Sequence, residues 1–136
     1  MHGRIATGAS VADVIWQSVK TVVTRAGAKE FRPRTDAEWA QVLHAAASVT
    51  EAGNLLMMAP RARDSGNWMK AAPALVDGGS DALQAAQARN ADKLFDAGAT
   101  LYEACNACHR QYYWPAPPAP PTVPPRQVGG PGTRAR

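Results

Sequence analysis

Residues 90–114 read NADKLFDAGATLYEACNACHRQYYW. Asn90 is a typical helix N-cap. Apolar and cysteine side chains then recur at intervals of three and four residues along one predicted helical face, at Leu94, Gly98, Leu101, Cys105, Cys108 and Tyr112. Phe95, Tyr102 and His109 run beside that face at seven-residue intervals. Both cysteines of the chain and one of its three histidines therefore lie near the end of one long helix.

The last part of this helix has the form C-x-x-C-H, the attachment motif of c-type haem. In this chemistry the two thiols add to the haem vinyl groups and the adjacent imidazole binds the iron. In a helix, Cys105 lies three residues before Cys108 and four before His109, so the three side chains project from one face about one turn long. The motif predicts one covalently bound haem c, with His109 as the iron ligand.

Three other uses of the two cysteines are weaker. A structural zinc site needs four nitrogen or sulfur ligands, and only His2 and His44 remain as distant candidates. A thioredoxin-like redox pair sits where a strand enters a helix, and no strand-like stretch precedes Cys105. A disulfide between Cys105 and Cys108 would close a loop too short to constrain much of the unfolded chain.

The composition predicts a small all-α protein. A chain of 136 residues has room for one domain and a tail. Its apolar residues include many alanines, and β-branched runs are short. The net charge is +4, and the Lys and Arg residues are scattered along the sequence, which argues against a nucleic-acid-binding surface. This charge suits either an encounter with an acidic redox partner or a solvated surface without a preferred partner. No stretch is long and apolar enough to span a bilayer.

Two further helices are predicted in the first sixty residues. Ser10 caps the first helix, whose valines recur at helical spacing as far as a stop at Gly27. Thr35 caps the second helix and forms a capping box with Glu38. Pro60 ends this helix, because proline cannot continue the hydrogen-bond ladder.

The third helix has weaker signals. Asn67 is predicted to cap a separate short turn, and Pro73 to lie in the first turn of the third helix, which ends near Arg89. Gly78 and Gly79 in its middle predict either a kink or a close crossing against another helix.

Several side chains are candidates for the haem pocket. Trp16 is either a pocket wall or a core aromatic, and Tyr112 either closes the haem edge or caps the core. Met57 and Met58 carry thioethers that can ligate iron, although paired methionines more often fill a core. His44 shares a face with polar residues and is predicted to lie on the surface.

The ends of the chain carry little structural signal. Residues 115–125 are rich in proline and alanine, and almost nothing after them up to residue 136 can be buried. We expect this tail to be disordered or polyproline II, and favour an incidental extension over a spacer or a docking segment. Residues Met1 to Ser10 lack the hydrophobic core of a secretory signal.

Four helices with a single C-x-x-C-H near the end of the fourth resemble the class II c-type cytochromes, the cytochrome c prime and cytochrome c-556 group. The resemblance covers about residues 8–114, and includes the proline-terminated second helix and the Phe95 to Gly98 run. It implies an antiparallel left-handed four-helix bundle that holds the haem at the fourth helix. It also implies Cys105 and Cys108 as thioether links to the haem and His109 as the proximal iron ligand.

The resemblance implies electron transport, not enzymatic catalysis. Haem is attached to this motif on the outer side of the bacterial inner membrane, so we expect a periplasmic protein with a redox partner protein. Family members often dimerise through the first two helices, which makes a homodimer compatible with the sequence. A peroxidase-like site is least favoured, because neither His44 nor an arginine can be placed above the iron.

This sequence departs from the family pattern at the distal side of the iron, the side opposite His109. In six-coordinate members the distal methionine comes from the first helix, and the predicted first helix, Ser10 to Ala26, has no Met, His, Cys or Tyr. The resemblance therefore implies a five-coordinate iron, unless Met57, Met58 or Met69 supplies a ligand. An open iron in an apolar pocket binds NO or CO, so gas binding is the alternative function.

Overall fold

A computed structural model describes residues 10–113, and the predictions for residues 1–9 and 114–136, including the proline-rich tail, lie outside them. The described part contains four helices and one two-stranded sheet: α1 (Val11–Ser18), β1 (Lys20–Thr24), β2 (Gly27–Phe31), α2 (Asp36–Leu56), α3 (Trp68–Gln87) and α4 (Ala91–Tyr112). The prediction of a mainly helical protein is therefore confirmed. No helix within residues 10–113 is both long enough and apolar enough to cross a bilayer.

The first helix is much shorter than predicted. It begins as expected, with the backbone N–H of Ser10 donating to the Asp13 carboxylate over 2.6 Å. It ends at Ser18, however, and the next residues form the antiparallel hairpin β1–β2, in which Lys20 pairs with Phe31. The predicted continuation of this helix to Gly27 is wrong.

The residue types of β1 explain the difference. The strand reads KTVVT, and four of its five residues are β-branched, which favours extended backbone. The chain reverses at Arg25 and Ala26. Gly27 then begins β2 with a φ of 125°, a conformation that costs glycine little. Val22 and Val23 are exposed, so the helical spacing of the valines did not mark a buried face.

The second helix follows its local signals. The Thr35 hydroxyl accepts a hydrogen bond from the Glu38 backbone N–H, and the Glu38 carboxylate accepts from the N–H groups of Arg34 and Thr35. These backbone donors hold the pKa of Glu38 below its ordinary value. The buried face of this helix includes Trp39, Val42, Ala46, Val49 and Gly53.

The third helix starts earlier than predicted. Trp68 begins a continuous helix that passes through Pro73, so there is no separate short turn. Asn67 makes no side-chain cap; the Asp64 carboxylate instead accepts from the backbone N–H of Trp68 over 3.0 Å. Because α3 begins at Trp68, Pro73 lies in its second turn, and the prediction of a first-turn position is wrong. Having no N–H, Pro73 cannot donate the usual helical bond to the Met69 carbonyl.

Small residues set the distances between neighbouring helices. A Cβ atom added at Gly79 would lie 2.6 Å from the Thr50 hydroxyl, and one at Gly53 would lie 2.6 Å from a methyl group of Val76. Thr50 of α2 thus lies beside Gly79 of α3, and Gly53 beside Val76, so the two helices are antiparallel and closely packed. The predicted close crossing is therefore confirmed at Gly79, with no break in the helix.

The core is built mainly from alanines, and its largest fully buried side chains are Ile15, Val42, Leu94 and Leu101. Leu101 is the last core residue of α4, and Cys105 and Cys108 beyond it are only partly buried. The apolar face of α4 thus continues past the end of the protein core. Cys105, Cys108 and His109 lie on this continuation.

Candidate functional site

Cys105, Cys108 and His109 lie in the last third of α4, where the helix is continuous. Cys105 and His109 are four residues apart, a rise of about 6 Å along the helix axis. Cys105 and Cys108 are half-buried free thiols, and His109 is exposed. One end of this helix face therefore presents two thiols and an imidazole together.

A narrow cavity of about 60 Å³ adjoins these side chains. It lies between α4 and the start of α3, and its lining is Leu56, Trp68, Ala71, Ala72, Leu75, Ala104, Cys105, Cys108 and His109. The lining is apolar apart from the thiols and the imidazole. Binding sites for cofactor-sized ligands have volumes of about 300–1,000 Å³, so a haem would lie across the mouth of this cavity or displace its lining.

The donor set of this site fits a haem. The thiols point to the same side as the imidazole, next to the apolar wall formed by Trp68, Ala72 and Leu75. A flat macrocycle fastened to both sulfurs would cover the exposed apolar end of α4. It would also supply the large apolar surface that a core of alanines lacks.

The electrostatics of the thiols argue against a redox dithiol. Burial, and secondarily the neighbouring Cys108, raises the pKa of the Cys105 thiol, and burial also raises the pKa of Cys108. Reactive cysteines have the opposite property, a lowered pKa, often at a helix N-terminus. Cys105 and Cys108 instead lie near the C-terminal end of α4, where the helix dipole disfavours a thiolate.

Of the two histidines considered as zinc ligands, His2 lies outside the described residues. Within residues 10–113 no group of three or more His, Cys, Asp or Glu side chains is arranged to hold a metal ion. His44 lies exposed on α2, as predicted for a surface histidine. Attachment of haem needs only one protein ligand to the iron, so it does not require such a group.

Tyr112 is tied to a residue that sequence analysis missed. Its hydroxyl donates a hydrogen bond to the Asp64 carboxylate, which also accepts from the backbone N–H groups of Gly66 and Trp68. The Tyr112 contact, together with these N–H donors, holds the pKa of Asp64 below its ordinary value, and the same contact raises the pKa of Tyr112. The aspartate and glycine between α2 and α3 indicated a turn, but not its partner on α4.

Trp68 completes this connection. Its indole Nε1 donates to the Leu56 carbonyl over 2.6 Å, and its ring meets the Tyr112 ring edge to face, with 5.0 Å between centroids. The end of α2, the start of α3 and the last turn of α4 are thereby joined beside Cys108. The wall of the cavity is held by polar as well as apolar contacts.

Trp16 lies farther from the motif. Its Nε1 donates to the Gly98 carbonyl over 2.9 Å, and its ring packs edge to face on Tyr102 with 5.9 Å between centroids. Gly98 is eleven residues before His109, a rise of about 16 Å along α4. Trp16 does not line the cavity beside the cysteines.

Within the part of the chain described, none of the three candidate methionines lines that cavity. Met69 is half-buried on α3. Met57 is the half-buried C-cap of α2, and Met58 is 56% exposed. Leu56, the residue before them, is the one that faces the cavity. The described residues bring Tyr112 next to the motif, but not Trp16, Met57 or Met58.

Comparisons with protein families, with curated proteins and with solved structures found no match to this chain.

Proposed function

We propose that the protein is a mono-haem c-type cytochrome that transfers electrons to or from a redox partner protein. The observation that carries this proposal is the grouping of two half-buried thiols and one imidazole on a single face of α4, beside an apolar wall. Cys105 and Cys108 would form the two thioether bonds, and the imidazole of His109 would bind the iron. The protein is proposed as a carrier, without a catalytic residue.

When bound, the haem iron supplies a one-electron redox couple. The residues of the chain would then hold and insulate it. Cys105, Cys108 and His109 would hold the cofactor against α4, and Trp68 and Leu75 would exclude water from the edge that faces the protein. The exposure of His109 leaves the outer side open to a partner, so that electrons need not cross the core.

The bundle architecture, the location and the oligomeric state are proposed from the resemblance to the class II c-type cytochromes. The antiparallel packing of α2 on α3 supports a left-handed four-helix bundle of the class II cytochrome type, spanning about residues 8–114. The chemistry of attachment supports a periplasmic location. A homodimer through the first two helices would be compatible with the partly exposed Val11 and Val14 on α1.

Binding of a small uncharged gas such as NO or CO is the second candidate function. The described α1, Val11–Ser18, contains no Met, His, Cys or Tyr, and the cavity lining contains no methionine. An iron held only by His109 on this apolar side would have an open position. That position would favour a neutral diatomic ligand over water or an anion.

The test of the proposal is covalent attachment. The chain, produced together with a haem-attachment system, is expected to keep its colour after denaturation and extraction with acidified solvent. The double variant Cys105→Ala, Cys108→Ala should lose the colour on extraction. His109→Ala should alter the visible spectrum, whereas the control His44→Ala should not. Haem that is fully extracted from the native chain would refute the proposal.

A further inference from the structure

A second concave surface lies between α1 and α4. This groove has a volume of about 450 Å³ and is separate from the cavity beside the cysteines. Its floor is the half-buried Trp16, which the hydrogen bond to the Gly98 carbonyl holds in place. Its rim on α4 carries the rings of Phe95 and Tyr102, which are 55% and 56% exposed, with the small Ala99 between them. Shallow apolar grooves lined by aromatic rings are the surfaces that proline-rich segments bind.

The segment that follows α4 matches such a groove. Residues 115–125 read PAPPAPPTVPP, and four of the prolines recur every three residues, at Pro115, Pro118, Pro121 and Pro124. Because a polyproline II helix has three residues per turn, these four lie along one edge. Phe95 and Tyr102 are separated by about 10 Å along α4, and one turn of polyproline II advances about 9 Å. Two successive prolines of this edge therefore have the spacing of the two rings.

We propose that the groove binds the chain's own Pro115–Pro125 segment as a polyproline II helix running back along α4, with Pro121 against Tyr102 and Pro124 against Phe95. This inference is independent of haem.

The reach of the segment is sufficient. From Tyr113, the last described residue, α4 runs back about 16 Å to Tyr102 and about 27 Å to Phe95. Residues 115–125 extend about 34 Å in polyproline II. A chain that reverses direction at Trp114 can thus lie over both rings.

An acidic side chain lies one helical turn beyond Phe95, outside the groove, whose own lining includes Lys20. Arg126 follows Pro125 in the sequence. Beyond Phe95, α4 carries the exposed carboxylate of Asp92, which already attracts the guanidinium of Arg32 at 3.2 Å. An arginine arriving at this end of the groove would meet a negative side chain.

Because the proline-rich segment is part of the same chain as the groove, weak contacts are enough to keep it bound. A segment joined to its site by a short linker has an effective concentration on the order of millimolar. If the free segment bound with a Kd of about 0.1 mM, the tethered one would occupy the groove about nine-tenths of the time. A few prolines stacked on exposed rings can therefore stay bound.

The test is nuclear Overhauser contact in the full-length protein, reduced and saturated with CO so that any haem is diamagnetic. Contacts are expected from the ring protons of Tyr102 and Phe95 to proline protons. The variant Pro121→Ala, Pro124→Ala should lose them. The control Pro117→Ala, Pro120→Ala removes as many prolines from another edge of the polyproline helix and should keep them.

Three outcomes would overturn the inference. The contacts could be missing from the native chain, or both double variants could lose them equally. Contacts found only between isotope-labelled and unlabelled copies would assign the groove to a second copy of the chain.

Discussion

The Tyr112 hydroxyl donates a hydrogen bond to the carboxylate of Asp64, a residue 48 positions earlier in the chain. This bond joins the last turn of α4 to the segment between α2 and α3, one turn beyond Cys108. The Asp64 carboxylate also accepts two backbone N–H groups, so one side chain both starts α3 and anchors α4. Loss of this bond should loosen the wall of the candidate haem site.

The first prediction is that Tyr112→Phe lowers the melting temperature in a pH-dependent way. The pKa of Asp64 in the folded protein lies below its ordinary value of 3.8. A depressed carboxylate pKa adds stability that is present above the unfolded value and is lost as the pH falls through the folded value. The difference between native chain and variant should therefore be full at pH 7 and shrink below about pH 4.

Thermal unfolding at several pH values measures this difference. Tyr102→Phe is the control, because it keeps the ring that packs on Trp16 and lies away from Asp64. A loss of melting temperature that is the same at pH 7 and pH 3 would contradict a role for the charged carboxylate.

The second prediction concerns the crossing of α2 and α3. Gly79→Ala would put a Cβ atom 2.6 Å from the Thr50 hydroxyl and 2.9 Å from its backbone nitrogen. Because the backbone of α2 cannot give way easily, we expect a loss of about 1–3 kcal/mol in the free energy of unfolding.

Urea unfolding provides the measurement. Gly66→Ala is the matched control, since the nearest atom to its added Cβ is 3.7 Å away. If both variants had the same stability, the close approach of the two helices would be disproved.

Local signals explain which elements could be predicted. Thr35 and Glu38 complete their hydrogen bonds within four residues, so the sequence alone locates the start of α2. Val22 and Val23 fit both a helical spacing and a β-branched run, and the turn at Arg25 and Ala26, followed by Gly27, decides between them. A periodicity shared by two structures cannot distinguish them without the turn that follows.

The candidate site likewise has a part that could be predicted from local sequence and a part that could not. The shared face of Cys105, Cys108 and His109 follows from spacing within one helix and could be predicted. The link between Asp64 and Tyr112 joins distant parts of the chain, and no local pattern encodes it. The position of Trp16 beside Gly98 likewise depends on how α1 packs against α4.

The third prediction tests the apolar wall. Leu75→Ala would enlarge the cavity beside Cys105 and Cys108 and let water reach the inner edge of a bound haem. Since water stabilises the more highly charged oxidised iron, the reduction potential should fall.

A redox titration of the haem-loaded protein measures the potential. Leu55→Ala provides the control, because Leu55 is 44% exposed and does not line the cavity. An unchanged or higher potential in Leu75→Ala would show that Leu75 does not shield the cofactor.

The last prediction addresses the distal side of the iron. Met57 caps α2 and Met58 is exposed, while Leu56 alone of the three faces the cavity. Met57→Ala and Met58→Ala are therefore expected to leave the visible spectrum of the oxidised protein unchanged, and the reduced native protein should bind CO rapidly. A charge-transfer band between methionine sulfur and iron that disappeared in either variant would identify that residue as the distal ligand. It would also favour a closed, six-coordinate electron carrier over gas binding, because a sulfur ligand would occupy the position that CO needs.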